Sequence, residues 1–162
     1  MAVDMFLKLT PTIKGESKDS KHKDEIDILS WSWGASNAGT TRMGGGGGAG
    51  KVNAQDLSVT KYVDLATTPM HLACHTGKHF DEAVLYARKA GEKPLEYLTI
   101  TMKEVLVSSF SIGGSGGEER PTENVTLNFA SVKVEYKEQA DTGGAGVSGL
   151  YAYNYAHNED QF

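Results

Sequence analysis

A single cysteine, Cys74, in 162 residues has no partner within the chain, which excludes a disulfide-stapled scaffold. The chain does not need one, because a compact domain of this length hides roughly two-thirds of its unfolded surface. Long apolar runs are missing too, so the composition offers no membrane span. Positive charge is scarce: 16 Lys and Arg stand against 21 Asp and Glu, for a net charge of −5. Lys18, Lys21 and Lys23 come nearest to a basic cluster, but Glu16, Asp19, Asp24 and Glu25 interleave with them. That mixture reads as a solvated turn and argues against nucleic acid as a partner. The opening MAVDMFLKLT carries Asp4 and Lys8 inside its apolar stretch, so no secretory signal is expected there.

Glycine is plentiful instead, with 19 copies concentrated in Gly44 to Gly50, Gly113 to Gly117 and Gly143 to Gly149. Between these clusters the chain alternates with the two-residue period of half-buried strands. Val3 to Leu9 sets Val3, Met5, Leu7 and Leu9 against Asp4, Phe6 and Lys8. Ile26 to Trp33 opposes Leu29, Trp31 and Trp33 to Ile28, Ser30 and Ser32, and Leu57 to Val63 opposes Leu57, Val59, Lys61 and Val63 to Ser58, Thr60 and Tyr62. Further strands are expected over Ala83 to Arg88, Leu95 to Val107, and one long run from Asn124 to Tyr136. A single helix competes, with Thr68 as cap, Pro69 as first helical residue and Gly77 as stop. The expected fold is mainly β, a single barrel-like or sandwich-like domain with one short flanking helix and a long glycine-rich loop. Residues 1–136 form that domain. Residues 137–162 read as a polar tail carrying Tyr151, Tyr153 and Tyr155, partly disordered or adding an edge strand.

The segment GGGGGAGK, Gly44 to Lys51, imitates a phosphate-binding loop through Gly45, Gly50 and Lys51. Val52 stands where a magnesium-binding hydroxyl belongs, and no buried strand leads into the segment, so nucleotide binding fails on context. No cofactor is expected. From Gly34 to Asn53 the chain shows no periodicity, and a loop of that length is usually functional or disordered. His71, Cys74 and His75 would share a helix face compatible with zinc, but a fourth ligand and a general base are missing. No nucleophile elbow or zincin signature occurs, and no enzymatic activity is expected.

Read in order, several segments resemble one family. They are MAVDMFLKL, KGES at Lys14 to Ser17, EIDILSWSWG at Glu25 to Gly34, and MGGGGGAGKVNAQDLS at Met43 to Ser58. TKYVD at Thr60 to Asp64, GKHF at Gly77 to Phe80, EYLTITMKEVLVSS at Glu96 to Ser109 and GGSGGEERPTENVTLNFA at Gly113 to Ala130 continue the match. Together they resemble the hemolysin-coregulated proteins, Hcp, of bacterial type VI secretion, up to about Tyr136. The resemblance implies a β-barrel-like subunit, six of which close into a ring around a wide channel. The rings would stack head to tail into a tube, driven out of the cell by a contracting sheath behind a spike tip. Its partners would be further copies of itself, the spike and sheath components, and small effectors chaperoned in the lumen. Neither nucleic acid nor membrane insertion is implied. The protein would wait in the bacterial cytoplasm and leave by type VI secretion without a signal peptide.

Within that frame Ser32 is the candidate for the channel lining, with Thr60 and Tyr62 as companions. The loop after the SWSWG strand is the candidate for ring stacking, through Arg42, Met43, Gly44, Gly45, Gly46, Gly47, Gly48 and Lys51. Two readings compete: a metal-binding module or enzyme built on His71, Cys74 and His75, and a stand-alone secreted effector acting through its tail.

Overall fold

The computed structural model describes residues 3–39, 49–91, 94–139 and 145–162. Its strands are β1 (Val3–Thr10), β2 (Ile26–Asp27), β3 (Ser30–Ser32), β4 (Ala35–Gly39), β5 (Ala49–Ala54), β6 (Leu57–Tyr62), β7 (His79–Lys89), β8 (Leu95–Gly113), β9 (Thr122–Asn128), β10 (Ser131–Gln139) and β11 (Ala145–Asn154). The helix α1 (Thr67–Thr76) lies between β6 and β7. The main sheet runs β2-β1-β7-β8-β9-β6-β3, all antiparallel, with β10 and then β11 attached to β8. β4 and β5 form a separate two-stranded ribbon.

The sheet is not closed into a barrel, because its end strands β2 and β3 are not paired with each other. One chain segment nevertheless serves both ends. The Ile28 amide donates to the carbonyl of Met5 at 3.0 Å, and the next amide, Leu29, donates to Thr60 at 2.8 Å. The run expected from Ile26 to Trp33 is therefore broken where it changes partner from β1 to β6.

The long run expected from Asn124 to Tyr136 breaks for a related reason. β9 and β10 lie end to end along one edge of β8, interrupted at Phe129 and Ala130. Opposite that break, Glu104 of β8 takes a left-handed φ of 53°, a local twist that redirects the strand.

One face of the sheet builds the core. Leu7, Leu9, Leu57, Val59, Leu85, Ile100, Met102, Val125, Leu127 and Val132 are buried against Met70 and Ala73 of α1. Burial of each such aliphatic side chain contributes about 1.5–3 kcal/mol. Phe6 departs from the expected polar face of β1: it is buried beneath the segment following β1, which covers that side of the sheet as well.

The helix starts two residues earlier than expected, at Thr67 rather than Pro69, and without a hydroxyl cap. Its N-cap is Ala66, which makes no side-chain capping bond. Asp64 instead accepts from the Ala66 amide at 2.9 Å, and the Thr67 hydroxyl accepts from the Asp64 amide at 2.9 Å. The stop is as expected: Gly77 has φ 70° and its N–H bonds to the carbonyl of Ala73, a conformation that costs glycine little.

In the aperiodic stretch Gly34 to Asn53, the described residues after Gly34 belong to the β4–β5 ribbon. The candidates Arg42, Met43 and Gly44 to Gly48 lie outside the described residues. After Lys137, β10 continues to Gln139, and β11 pairs along it in register from Ser131↔Asn154 to Lys137↔Ser148. The tyrosine-bearing segment thus supplies an edge strand.

Candidate functional site

The alternation of β3, β6 and β9 puts apolar residues inward, so their small polar residues share one outward face with the end of β8. The pairing register aligns them in rows. One row is Ser32, Ser58, Thr126 and Ser109; the next is Ser30, Thr60, Asn124 and Ser111; a third is Tyr62, Thr122 and Gly113. The three candidates Ser32, Thr60 and Tyr62 therefore stand on the same face.

Hydrogen bonds knit this face together. The Thr60 hydroxyl donates to Asn124 Oδ1 at 2.5 Å. Thr126 Oγ1 lies 2.5 Å from Ser109 Oγ and 2.7 Å from Ser108 Oγ, the bulged residue of β8. Ser108 in turn donates to Asp56 Oδ2 at 2.6 Å, and Asn128 donates to Asp56 Oδ1 at 2.9 Å. Ionic groups stand at the margins: Asp56 at one end, and at the other Arg120, whose guanidinium lies 4.6 Å from the Tyr62 ring centroid. Such a surface can exchange hydrogen bonds with a protein partner or water.

A second feature flanks it. Trp33, Val52, Tyr151, Tyr153 and Tyr155 line a groove of about 950 Å³ between the ribbon and β11. Lys51, the one described stacking candidate, is exposed on its rim. Trp33 donates from its indole nitrogen to the Gln55 carbonyl at 2.8 Å, and its ring meets Phe129 at 5.9 Å. Burial and the neighbouring Tyr151 and Tyr153 push the Tyr155 hydroxyl up to about 12.

The histidine cluster has a different job from the one its spacing suggested. His71 Nε2 bonds to Glu123 Oε2 at 2.9 Å and the ring stacks on Phe110 at 3.8 Å. His75 Nδ1 donates to the His71 carbonyl at 2.8 Å. Among the described residues, no three His, Cys, Asp or Glu side chains are placed to hold a metal ion.

Behind His71 lies a network that sequence reasoning missed. Lys61, fully buried, donates to Glu123 at 2.6 Å, Asp64 at 2.9 Å, the Tyr62 carbonyl at 3.0 Å and Thr67 at 3.3 Å. The available signal was a lysine on the apolar side of β6, paired with a glutamate on the apolar side of β9.

A family model described as "Type VI secretion system effector, Hcp" matches residues 6–136. The chain belongs to the Hcp family. It is 59% identical over 160 residues to Protein hcp1 of Pseudomonas aeruginosa, covering 98% of each chain. Among solved structures, Hcp1 from Salmonella typhimurium superposes with a TM-score of 0.81 at 38% identity, over 99% of this chain and 100% of that one. A type six secretion system protein superposes with a TM-score of 0.92 at 31% identity, again over 99% and 100%. This Hcp is thus a type VI secretion protein, and neither the metal-dependent reading nor the stand-alone effector acting through its tail finds support in these relatives. Its kinship with the Pseudomonas protein extends through the β11 segment, beyond the end of the family match.

Proposed function

We propose that this Hcp is a structural subunit of the type VI inner tube. Six copies close into a ring, rings stack head to tail, and the tube carries effectors as it is expelled with the spike by the sheath. Its task is conveyance, and it performs no bond-making chemistry. The protein resides in the bacterial cytoplasm until firing and is then delivered outside the cell.

The observation that carries the cargo part of this reading is the hydroxyl and amide face of β3, β6, β9 and β8. An exposed sheet surface with few charges and few apolar side chains suits a channel wall. It offers hydrogen bonds to a protein without the adhesion that a large apolar patch would bring. We assign Ser32, Thr60 and Tyr62 to that wall, with Ser32 in contact with cargo. The ribbon of β4 and β5 is assigned to stacking, through Lys51 and the residues from Arg42 to Gly48. Fixing a glycine-rich segment against a neighbouring ring costs conformational entropy, so single rings stay soluble until an assembling tip recruits them.

The wall assignment is tested by Ser32→Arg. Rings should form as in the parent while co-purification of cargo falls by tenfold or more; unchanged cargo retention removes Ser32 from the wall.

A further inference from the structure

The outer face of β1 and β7 is covered by the Pro11 to Glu25 segment, and its central contact is a buried histidine. His22 is 4% exposed. Its ring stacks on Phe6 of β1, with centroids 4.4 Å apart and planes at 16°, and meets Tyr86 of β7 at 4.7 Å. Both ring nitrogens face carboxylates: Nδ1 lies 2.5 Å from Glu25 Oε2 of the segment itself, and Nε2 bonds to Glu96 Oε1 of β8.

A neutral imidazole has one N–H and one lone pair. Set between two carboxylates, it would aim that lone pair at an oxygen that also carries only lone pairs. Two protons on the ring turn both contacts into charge-assisted hydrogen bonds. Asp19 and Asp4 nearby have their own cation. Arg88 of β7 donates to Asp19 from both terminal nitrogens, at 3.1 and 2.5 Å, and to Asp4 of β1 at 3.2 Å. This guanidinium holds the Asp19 carboxyl well below the usual range. Glu25 and Glu96 are left to the imidazole. Burial together with the Glu25, Glu96 and Glu82 carboxylates pushes the Tyr86 hydroxyl up, so Tyr86 stays neutral beside them.

We infer that His22 is an imidazolium clasp, fastening the Pro11 to Glu25 segment to the start of β8 through Glu25 and Glu96 and releasing it when the ring loses a proton. The inference concerns the attachment of this segment and stands apart from ring formation and cargo. The bonds that depend on the clasp are local. Gly15 donates to the Asp24 carbonyl at 2.7 Å, Asp24 to Ser17 at 2.9 Å, and Ser17 to Glu25 at 3.0 Å.

Nitrogen NMR of the full chain at about pH 7.5, where a free histidine with its ordinary value near 6.5 is mostly neutral, reads the protonation directly. Both ring nitrogens of His22 should carry protons, and the amides of Ser17 and Asp24 should exchange faster, after correction for intrinsic rates, as higher pH removes one. Glu96→Gln supplies a second arm. Its amide can donate to a neutral ring, so the extra pH dependence of exchange at Ser17 and Asp24 should disappear. A His22 ring with one bare nitrogen at about pH 7.5 overturns the clasp, including the case in which a glutamic acid holds the shared proton. So does a Glu96→Gln chain whose exchange follows the parent at every pH.

Discussion

Replacing Lys61 by Met tests the buried network beneath α1. The ammonium is fully buried, as is Glu123, and the Asp64 side chain is 6% exposed. Met fills much the same volume, so little cavity forms and the change is mainly electrostatic. Two carboxylates then remain in the core without the ammonium that both had bonded to. Removing one partner of a buried pair costs about 3–5 kcal/mol, because the remaining charge is left uncompensated. For a domain of this size each kcal/mol shifts the melting temperature by about 2–4 °C, so the melt should fall by about 6–20 °C. Urea denaturation followed by circular dichroism measures the same loss at constant temperature. The double change Lys61→Met with Glu123→Leu should recover much of it, since a buried pair exchanged for apolar residues is often neutral. A single-variant loss below about 1 kcal/mol, the worth of an exposed ion pair, would refute the view that this network is buried and strongly coupled.

Three further outcomes are expected. At Gly15 an added Cβ would lie 2.4 Å from the Glu25 carbonyl oxygen and 2.7 Å from its carbon; Gly15→Ala should cost about 1–3 kcal/mol as backbone shifts to relieve the clash, measurable in the same melts. Tyr155, with its hydroxyl pushed up to about 12 by burial, stabilises the fold fully below the ordinary tyrosine value of about 10 and loses that contribution as pH rises towards 12. Tyr155→Phe should therefore weaken the alkaline decline in melting temperature across that window. Deleting Gly44 to Gly48 should leave rings intact while reducing tube formation in cells and Hcp release; release at the parent level would remove these residues from stacking.

The strands were legible wherever one face met the core and the other met solvent. β6 and β9 show this: Leu57 and Val59, Val125 and Leu127 face inward, and the hydroxyl residues between them face out. Register alone then gathers Ser32, Thr60 and Tyr62, so alternation was enough to find the face. Alternation failed where a strand changes partners without changing pattern, as at Ile28 and Leu29, and where β8 twists at Glu104 opposite Phe129 and Ala130. It also failed for Phe6, because both sides of β1 are covered and the second cover is a polar loop. The ribbon of β4 and β5 was invisible for a different reason. Its described residues are exposed or half-buried, so no core imposes a period on Ala35 to Gly39. The Lys61 network lay hidden among apolar neighbours because a charge inside a core is recognisable only beside its partner, and Glu123 is 62 residues away in the chain.

Everything in the functional account depends on copies of this chain closing into a hollow ring. Images of the purified protein in negative stain, averaged without imposed symmetry, should show annuli of six subunits around an open centre. Particles that stay solid or monomeric at high protein concentration would contradict the account.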